Sequence, residues 1–404
     1  MKKFFVLLFI TIITIGLTAC SVRQEAKQKE ITVWTLQMGD FSDYMYKVIR
    51  TYEKEHPNII IKWVDVPFSE GEKRTLAAVM TDNPPDLINL NPDFSALLAQ
   101  KGTLEEIETD SVTEFNQEII KALMYKDKLY SIPWYATSAI TIYNKDLFSK
   151  SGVIRLPRTY AELAAIAAKI RENTNAYAYL PTITENDTMM KILNKYGITE
   201  LEDLNSQQSV NVFNMFKSLY DKDLIPPESV TMTHREALEQ YMSGKIIFYQ
   251  GGSNFLNMIK ENAPSVYEQT DVTEQMKGPA GQNDISVMNF VIPKRAKMKK
   301  EALEFCLYLT NAQNQLELAK MTNIIVTNTE ALKDDFYNNS SDIMSKARSI
   351  SAKQLNHIYP QMKQRRNQKE INNAVNSTVQ TILLNKKATE EALNDLVKNL
   401  KNFN

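Results

Sequence analysis

The chain has 404 residues, a formal net charge of −1, and 43% hydrophobic residues. Such a balanced charge argues against a nucleic-acid partner. The 11 glycines, 3 histidines and 2 cysteines show none of the spacings of nucleotide-binding loops, α/β-hydrolase elbows or zinc sites. We therefore expect no cofactor and no metal.

The N-terminus has a secretory signal pattern, because two lysines precede an uncharged run at residues 4–17. A bilayer-spanning helix needs about 20 apolar residues, so this run is short for a permanent anchor. The tetrapeptide LTAC, which ends at Cys20, resembles a bacterial lipobox. The alternative, an ordinary secreted protein with an incidental cysteine, leaves the abrupt switch to polar residues after Cys20 unexplained. We expect residues 1–19 to be a signal peptide and Cys20 to carry the lipid anchor.

Residues 20–30 are expected to form the lipidated cysteine and a tether. The segment SVRQEAKQKE at residues 21–30 has no aromatic residue and cannot bury enough surface to become ordered. A flexible segment of this length holds the folded part roughly 17 Å from the membrane. The rest of the chain is longer than one core usually supports, so we expect two lobes.

Beyond the tether, short β-rich runs alternate with helical patterns, which predicts an α/β fold with largely parallel sheets. Apolar residues at helical spacing predict a helix from Phe41 to Tyr52, and the Thr159/Glu162 pair predicts a capping box that begins another. After residue 300 helices dominate, and residues 367–401 form two helices, the second starting at Thr389. The predicted strands are 31–36, 59–66, 86–90, 139–143, 176–180, 245–250 and 287–293.

Two further features have structural interpretations. Cys306 lies on the apolar stripe of a predicted helix, so we expect a buried, unpaired thiol. The basic run PKRAKMKK at residues 293–300 lies between a strand and an amphipathic helix, so we interpret it as a solvated loop rather than an anion site.

Aromatic, amide and carboxyl residues cluster at the ends of predicted strands, where open α/β sheets bind ligands. Sugars present apolar C–H faces ringed by hydroxyl groups, so a sugar site needs aromatic surfaces with Asp, Asn and Gln beside them. For any one of these residues, packing in the core or on the surface is an equal alternative. The candidates are Trp34, Gln37, Asn91, Asp93, Trp134 and Tyr135.

Seven segments in chain order carry a family resemblance. They are ITVWT, YEKEHPNIIIKW, PPDLINLNPDFSALLAQKGTLEEI, KLYSIPWYATSAITIYNKDLFSKSG with LPRTYAEL, SGKIIFYQGG, NFVIPKRAKMKKEALEFCLYLTN and ATEEALNDL. Together they resemble the extracellular solute-binding lipoproteins of ATP-binding-cassette (ABC) sugar importers, the family that contains maltose-binding protein.

This resemblance implies a two-lobed periplasmic-binding-protein-like fold with a hinge and a ligand cleft between the lobes. Residues 31–143 and 287–335 would form the N-terminal lobe, and residues 144–286 and 336–404 the C-terminal lobe. Matching positions place the cleft at Trp34, Gln37, Ser69, Asn91, Asp93, Trp134, Tyr135, Thr137, Thr182, Gln250, Gly251, Ser253 and Arg365.

Two departures from the family pattern keep the ligand open. Ser253 stands where many relatives place a stacking aromatic residue, and Arg365 or Arg366 falls near another aromatic position. A small or anionic sugar derivative therefore stays among the candidates. Asp86 is expected to be structural and to cap its own turn.

The function implied by the resemblance is a monomeric receptor on the extracellular face of the bacterial cytoplasmic membrane. It would pass a carbohydrate to the permease subunits of an ABC importer without catalysing a reaction. Two alternatives stay open: a lipid-anchored glycoside hydrolase, which needs two carboxylates about 5 to 9.5 Å apart, and a sensory lipoprotein that presents ligand to a membrane kinase. Trp34 and Trp134 are expected to contribute to binding, and Trp63 to packing.

The lipobox interpretation predicts the behaviour of a Cys20→Ser variant. Without the thiol no acyl chain can be attached, so the protein should leave the membrane fraction while the released protein still binds ligand. Metabolic labelling with a clickable fatty acid measures acylation, and cell fractionation measures the location of the protein. Acylated, membrane-bound Cys20→Ser protein would contradict the interpretation.

Overall fold

The structure is a computed structural model that describes residues 28–279, 281–322, 324–355 and 367–401. The predicted signal peptide, Cys20 and Arg365 lie outside the described residues. The strands are β1 (Lys29–Leu36), β2 (Ile59–Val66), β3 (Leu87–Leu90), β4 (Met124–Tyr125), β5 (Lys128–Leu129), β6 (Ile132–Asn144), β7 (Tyr177–Tyr179), β8 (Ile246–Gly252), β9 (Thr270–Glu274), β10 (Ile285–Val291) and β11 (Ile325–Val326).

Helices surround these strands and are numbered here in chain order. They are α1 (Ser42–Glu55), α2 (Phe68–Val79), α3 (Pro92–Gln100), α4 (Gln117–Ala122), α5 (Lys145–Lys150), α6 (Tyr160–Thr174), α7 (Thr188–Lys195), α8 (Gln207–Asp221), α9 (His234–Met242), α10 (Phe255–Asn262), α11 (Pro264–Glu268), α12 (Lys299–Leu309), α13 (Ala312–Thr322), α14 (Asp335–Asn338), α15 (Ile343–Lys353), α16 (Gln368–Leu383) and α17 (Thr389–Leu400). None of the helices in the described part of the chain combines the length and hydropathy of a transmembrane span.

Strand β6 belongs to the sheets of both lobes. Residues 132–138 pair with β10, and residues 135–136 of the same half pair with β11. Residues 139–144 pair with β8 and β9. The sequence predicted only the second half of this strand. One continuous backbone therefore joins the two lobes through ladder hydrogen bonds on each side.

Both sheets are mixed, so the expectation of largely parallel sheets is wrong. β1 runs parallel to β2 and β3, and β7 runs parallel to β8. Every strand that pairs with β6 is antiparallel to it, and β10 is also antiparallel to β3. The parallel pairs are thus confined to the outer part of each lobe, and the antiparallel pairs occupy the region where the chain passes between lobes.

Each lobe has a hydrophobic core of its own. The first lobe buries Val33 and Tyr44 together with Phe305 and Cys306. The second lobe forms a separate cluster that includes Phe213 and residues of α6, α16 and α17. The expectation for Cys306 is confirmed, since its side chain is fully buried and unpaired and burial raises its thiol pKa.

The local signals for helices are largely confirmed. Helix α1 buries Tyr44, Val48 and Tyr52 at helical spacing. The Oγ1 atom of Thr159 accepts from the backbone N–H of Glu162 at 3.1 Å. The carboxylate of Glu162 reaches back one residue further than expected and accepts from the Arg158 N–H at 2.6 Å.

Asp86 is structural, but the expectation that it caps its own turn is wrong. Its carboxylate accepts from the backbone N–H of Thr32 in β1 at 3.0 Å. It also accepts from the backbone N–H groups of Lys297 at 3.2 Å and Met298 at 3.0 Å, just before α12. With Asp86 only 7% exposed, these bonds hold the start of β3 against β1 and α12.

Candidate functional site

The carboxyl end of β1 forms one part of the first lobe's polar edge. Gln37 follows β1 directly, is exposed, and has a φ of +53°, a left-handed conformation that costs energy for a residue other than glycine. Asp65 fixes the backbone there, because its Oδ1 atom accepts from Thr35 Oγ1 at 2.7 Å and from Met38 N–H at 2.9 Å. The Gln37 side chain is thus presented from a rigid strand end.

The carboxyl end of β3 lies beside β1 and leads directly into α3. Asn91 caps this helix, since its Oδ1 atom accepts from the Phe94 N–H at 2.8 Å, and its amide donates to Glu72 at 3.3 Å. Asp93 lies half-buried in the first helical turn, where the helix dipole favours a carboxylate. The structure therefore places Asn91 and Asp93 at the same edge as Gln37.

For two other candidates of the first lobe, the structure does not decide whether the side chain faces a ligand. Trp34 is half-buried within β1 and packs against the cluster that contains Leu36 and Leu90. Ser69 is the second residue of α2, and its side chain lies outside what the structure describes. Both stay predictions as ligand contacts.

In the second lobe, α7 brings charged residues to the site that the sequence did not single out. Asp187, Lys191 and Lys195 follow one another at intervals of four residues, so they form one stripe along this helix. The Lys191 ammonium lies 3.3 Å from Asp187 Oδ2, and the Lys191 side chain is 45% exposed although protein surrounds it. The Lys191 ammonium is therefore in contact with solvent.

The charges around Lys191 come from both lobes. Asp284, at the start of β10, is the main cause of a raised Lys191 pKa, and Asp187 and Asp93 of α3 contribute further. Burial and the charge of Lys191 together lower the pKa of His234, the first residue of α9.

Lys195 anchors α7 to the segment that connects β9 and β10. Its side chain is 5% exposed, and its ammonium donates to Gln275 Oε1 at 2.8 Å and Met276 O at 2.9 Å. Burial lowers the pKa of Lys195 to about 8, aided by Lys191 and opposed by Asp284. Gly278 allows this close approach, because a Cβ atom there would lie 2.0 Å from Lys195 O.

Gln250 serves the scaffold rather than an open surface. It is 8% exposed, its Nε2 atom donates to Thr141 Oγ1 at 2.6 Å, and its Oε1 atom accepts from Met276 N–H at 3.0 Å. Both ends of the amide are therefore engaged within the protein. The expectation that this side chain contacts ligand does not fit the geometry, because its hydrogen bonds would first have to break.

Gly251 and the residues around it form a small aromatic wall. A Cβ atom on Gly251 would lie 2.5 Å from the Tyr249 ring and 2.9 Å from the Phe255 ring, so only glycine leaves these rings in place. His234 packs beside both, at 5.1 and 5.6 Å between ring centroids. Ser253 is nearly buried, and the half-buried aromatic residue of this segment is Phe255, two positions later.

The remaining candidates lie on β6 and after β7. Thr137 is exposed, and Tyr135 is half-buried; burial raises the pKa of Tyr135 to about 12. Thr182 is buried, and its backbone carbonyl accepts from the Glu185 N–H at 3.0 Å. No group of three metal-ligating side chains occurs among the described residues.

Trp134 lies in the core, so the expectation that it lines the cleft is wrong. Its side chain is 0% exposed and packs in the same cluster as Val33, Tyr44 and Phe305. Its ring lies 4.6 Å from Phe290. The physical reason is strand alternation: successive side chains of β6 point to opposite faces, and Trp134 points into the first lobe.

Comparison with known proteins identifies the type of molecule. The family model of bacterial extracellular solute-binding proteins matches residues 47–345. A solved periplasmic-binding protein of Synechococcus sp. MITs9220, provisionally assigned to oligosaccharides, is 27% identical with a TM-score of 0.82, and the match covers 92% of this chain and 98% of that one. The two-lobed fold is shared.

Curated relatives differ in the ligand for which they are named. The diacetylchitobiose-binding protein DasA of Streptomyces coelicolor is 20% identical over 77% of this chain and 76% of its own. The sn-glycerol-3-phosphate-binding protein UgpB of Pectobacterium atrosepticum is 23% identical over 91% of this chain and 90% of its own. One relative is thus named for a neutral sugar and the other for an anionic polyol phosphate.

The buried position of Trp134 predicts the effect of truncating it. Trp134→Ala should lower the free energy of unfolding by about 3 to 5 kcal/mol, because it leaves a large cavity. Trp134→Phe should cost less, since it keeps most of the packing and removes an indole N–H that has no described partner. Urea unfolding measures both. Trp63→Ala, at a half-buried tryptophan, provides the control. Unfolding of Trp134→Ala at the parent's urea midpoint would contradict the assignment of Trp134 to the core.

Proposed function

The chain belongs to the family of bacterial extracellular solute-binding proteins, and from that premise we propose that it captures a carbohydrate and delivers it to an ABC import permease. The observation that carries the proposal is the polar edge of the first lobe, where Gln37, Asn91 and Asp93 follow neighbouring strands, together with the exposed Lys191 of the second lobe. Carboxylate and ammonium groups are the acceptors and donors that sugar hydroxyls need. In the second lobe, the buried Tyr249 of β8 and the half-buried Phe255 at the start of α10 supply aromatic surface.

Capture would proceed by closure of the lobes around the ligand. Contacts made by both lobes at once exist only in the closed state, so a ligand that makes them shifts the population toward closure. Strand β6 supports this mechanism, because it connects the lobes while each lobe keeps a hydrophobic core of its own. The permease would then distinguish the closed from the open receptor.

The receptor is proposed to act as a lipoprotein held by Cys20. The LTAC tetrapeptide and the polar tether after it support this assignment, and several acyl chains hold a protein on a membrane far more firmly than one. The tether would keep the receptor near its permease on the extracellular face of the cytoplasmic membrane.

Binding without catalysis is the second part of the proposal. The family to which the chain belongs and the relatives reported above are named as binding proteins. A glycoside hydrolase instead needs one carboxyl group that stays protonated as general acid. The family membership therefore supports a receptor.

The proposal predicts that a sugar stabilises the protein and is recovered intact. Protein beginning at Gln28 is screened by thermal shift against mono-, di- and oligosaccharides, polyols and glycerol phosphates. A sugar at 100 times its dissociation constant should add about 2.7 kcal/mol to the free energy of unfolding. Mass spectrometry should return the sugar unchanged after prolonged incubation. Stabilisation by none of the carbohydrates, or their hydrolysis, would contradict the proposal.

A further inference from the structure

The start of β1 lies beside the basic run that connects β10 to α12. The side chain of Lys29, the first residue of β1, donates to the carboxylate of Glu301 in the first turn of α12. Three residues further along β1, the N–H of Thr32 binds the Asp86 carboxylate, which also accepts from the N–H of Lys297 in the basic run. The tether is therefore attached to the first lobe at the end that carries the basic run.

The backbone of the basic run is fixed although its side chains are solvated. The N–H of Lys294 donates to Thr103 O at 2.8 Å, and the N–H of Ala296 donates to Pro293 O at 2.9 Å. Lys294 and Lys297 are both exposed. The sequence interpretation of this run as a solvated loop thus holds, but the loop presents its charges from defined positions.

Three exposed lysines at this end have no ion pair among the described residues. Lys294 and Lys297 belong to the basic run, and Lys101 ends α3 two residues before Thr103, whose carbonyl binds the run. We define the basic face as Lys29, Lys101 and residues 294–300. Its unpaired lysines are free to interact with a negatively charged surface.

The other cations of the basic face each have a carboxylate partner, so each pair is neutral as a unit. The pairs are Lys29 with Glu301, Arg295 with Asp82, Lys299 with Glu105, and Lys300 with Glu304. The buried Asp86 carboxylate offsets one of the three unpaired lysines. Three cations less one carboxylate leave an excess of two positive charges.

The basic face and the polar edge lie at opposite ends of β1. The strand begins at Lys29 and ends at Leu36, directly before Gln37 of the polar edge. At about 3.3 Å per residue the strand separates the two by roughly 23 Å. A contact made by the basic face therefore leaves the polar edge open to solution.

We propose that the basic face rests on an anionic phospholipid surface, the membrane on which Cys20 would hold the protein. The inference rests on the proposed lipid anchor and goes beyond it, since it assigns the part of the folded protein that faces the lipid. A flexible tether of this length spans roughly 17 Å on average, which keeps its attachment point close to the membrane. Cations act on a charged surface within a Debye length, about 10 Å at 0.1 M salt.

This orientation suits the capture of a solute. The polar edge faces away from the membrane, where solutes arrive. Each lysine near an anionic surface contributes only modestly to binding, so the contact is reversible, and the tethered receptor can turn over to reach its permease.

The test measures vesicle binding by the chain of residues 21–404, which keeps the tether and lacks the acylated cysteine. Co-sedimentation is compared for vesicles of phosphatidylcholine alone and for vesicles with equal parts of phosphatidylglycerol. The parent should bind the anionic vesicles and not the zwitterionic ones. About 1 M salt should abolish binding, because the Debye length then falls to about 3 Å.

A triple variant with Lys101→Gln, Lys294→Gln and Lys297→Gln tests the face itself. It should bind anionic vesicles at least about 10-fold more weakly than the parent, because three cations near the surface are lost. Its urea midpoint and its affinity for the sugar that stabilises the parent should be unchanged, since these side chains are exposed and remote from the polar edge.

The matched control removes the same charge from the second lobe through Lys222→Gln, Lys386→Gln and Lys398→Gln, three exposed lysines without an ion pair among the described residues. This control should bind anionic vesicles like the parent. An equal loss in the control, parent-like binding by the first triple variant, or a parent that does not prefer anionic vesicles would overturn the inference. These outcomes need no sugar, so a parent that binds no carbohydrate would contradict the proposed function alone.

Discussion

The fold depends on a single strand whose hydrogen bonds are divided between two sheets. In β6, residues up to Ser138 pair with strands of the first lobe, and residues from Ala139 onward pair with strands of the second. Each lobe closes its own hydrophobic core on its half of the strand. Because the backbone is continuous, the lobes stay connected, and closure of the lobes would turn about the region of the Ser138–Ala139 junction.

Buried polar side chains hold this junction. The Gln354 amide donates to Ser138 Oγ at 2.6 Å and to Ala139 O at 2.9 Å, and its Oε1 atom accepts from the Gln275 N–H at 2.9 Å. Gln354 follows α15 and Gln275 follows β9, so this network ties three separate chain segments at one point. Satisfied hydrogen bonds in a low-dielectric interior favour one arrangement of the segments, which makes the junction a defined pivot rather than a loose linker.

The sequence predicted most strands and amphipathic helices, because their periodicity is local. It missed the first half of β6, where Pro133 and the polar pair Thr137–Ser138 are typical of a loop. It also assigned Trp134 and Gln250 to the cleft. Strand alternation shows that neighbouring side chains take opposite faces, but it does not show which face is core when both faces are covered. Lys191 was missed because a lysine on a helix is typical of a solvated surface.

The most direct test of motion about this pivot is the distance between two spin labels, measured by pulsed electron–electron double resonance. Spin labels replace exposed residues of protein beginning at Gln28. The pair Lys73 and Arg235 measures a distance between the lobes. The pairs Lys54–Lys73 and Arg235–Lys386 each measure a distance within one lobe. The buried Cys306 thiol should stay unlabelled. On addition of the stabilising sugar, the Lys73–Arg235 distance should change while both distances within lobes stay constant, as rigid lobes about a hinge require. A constant distance between lobes, or changed distances within them, would contradict the account.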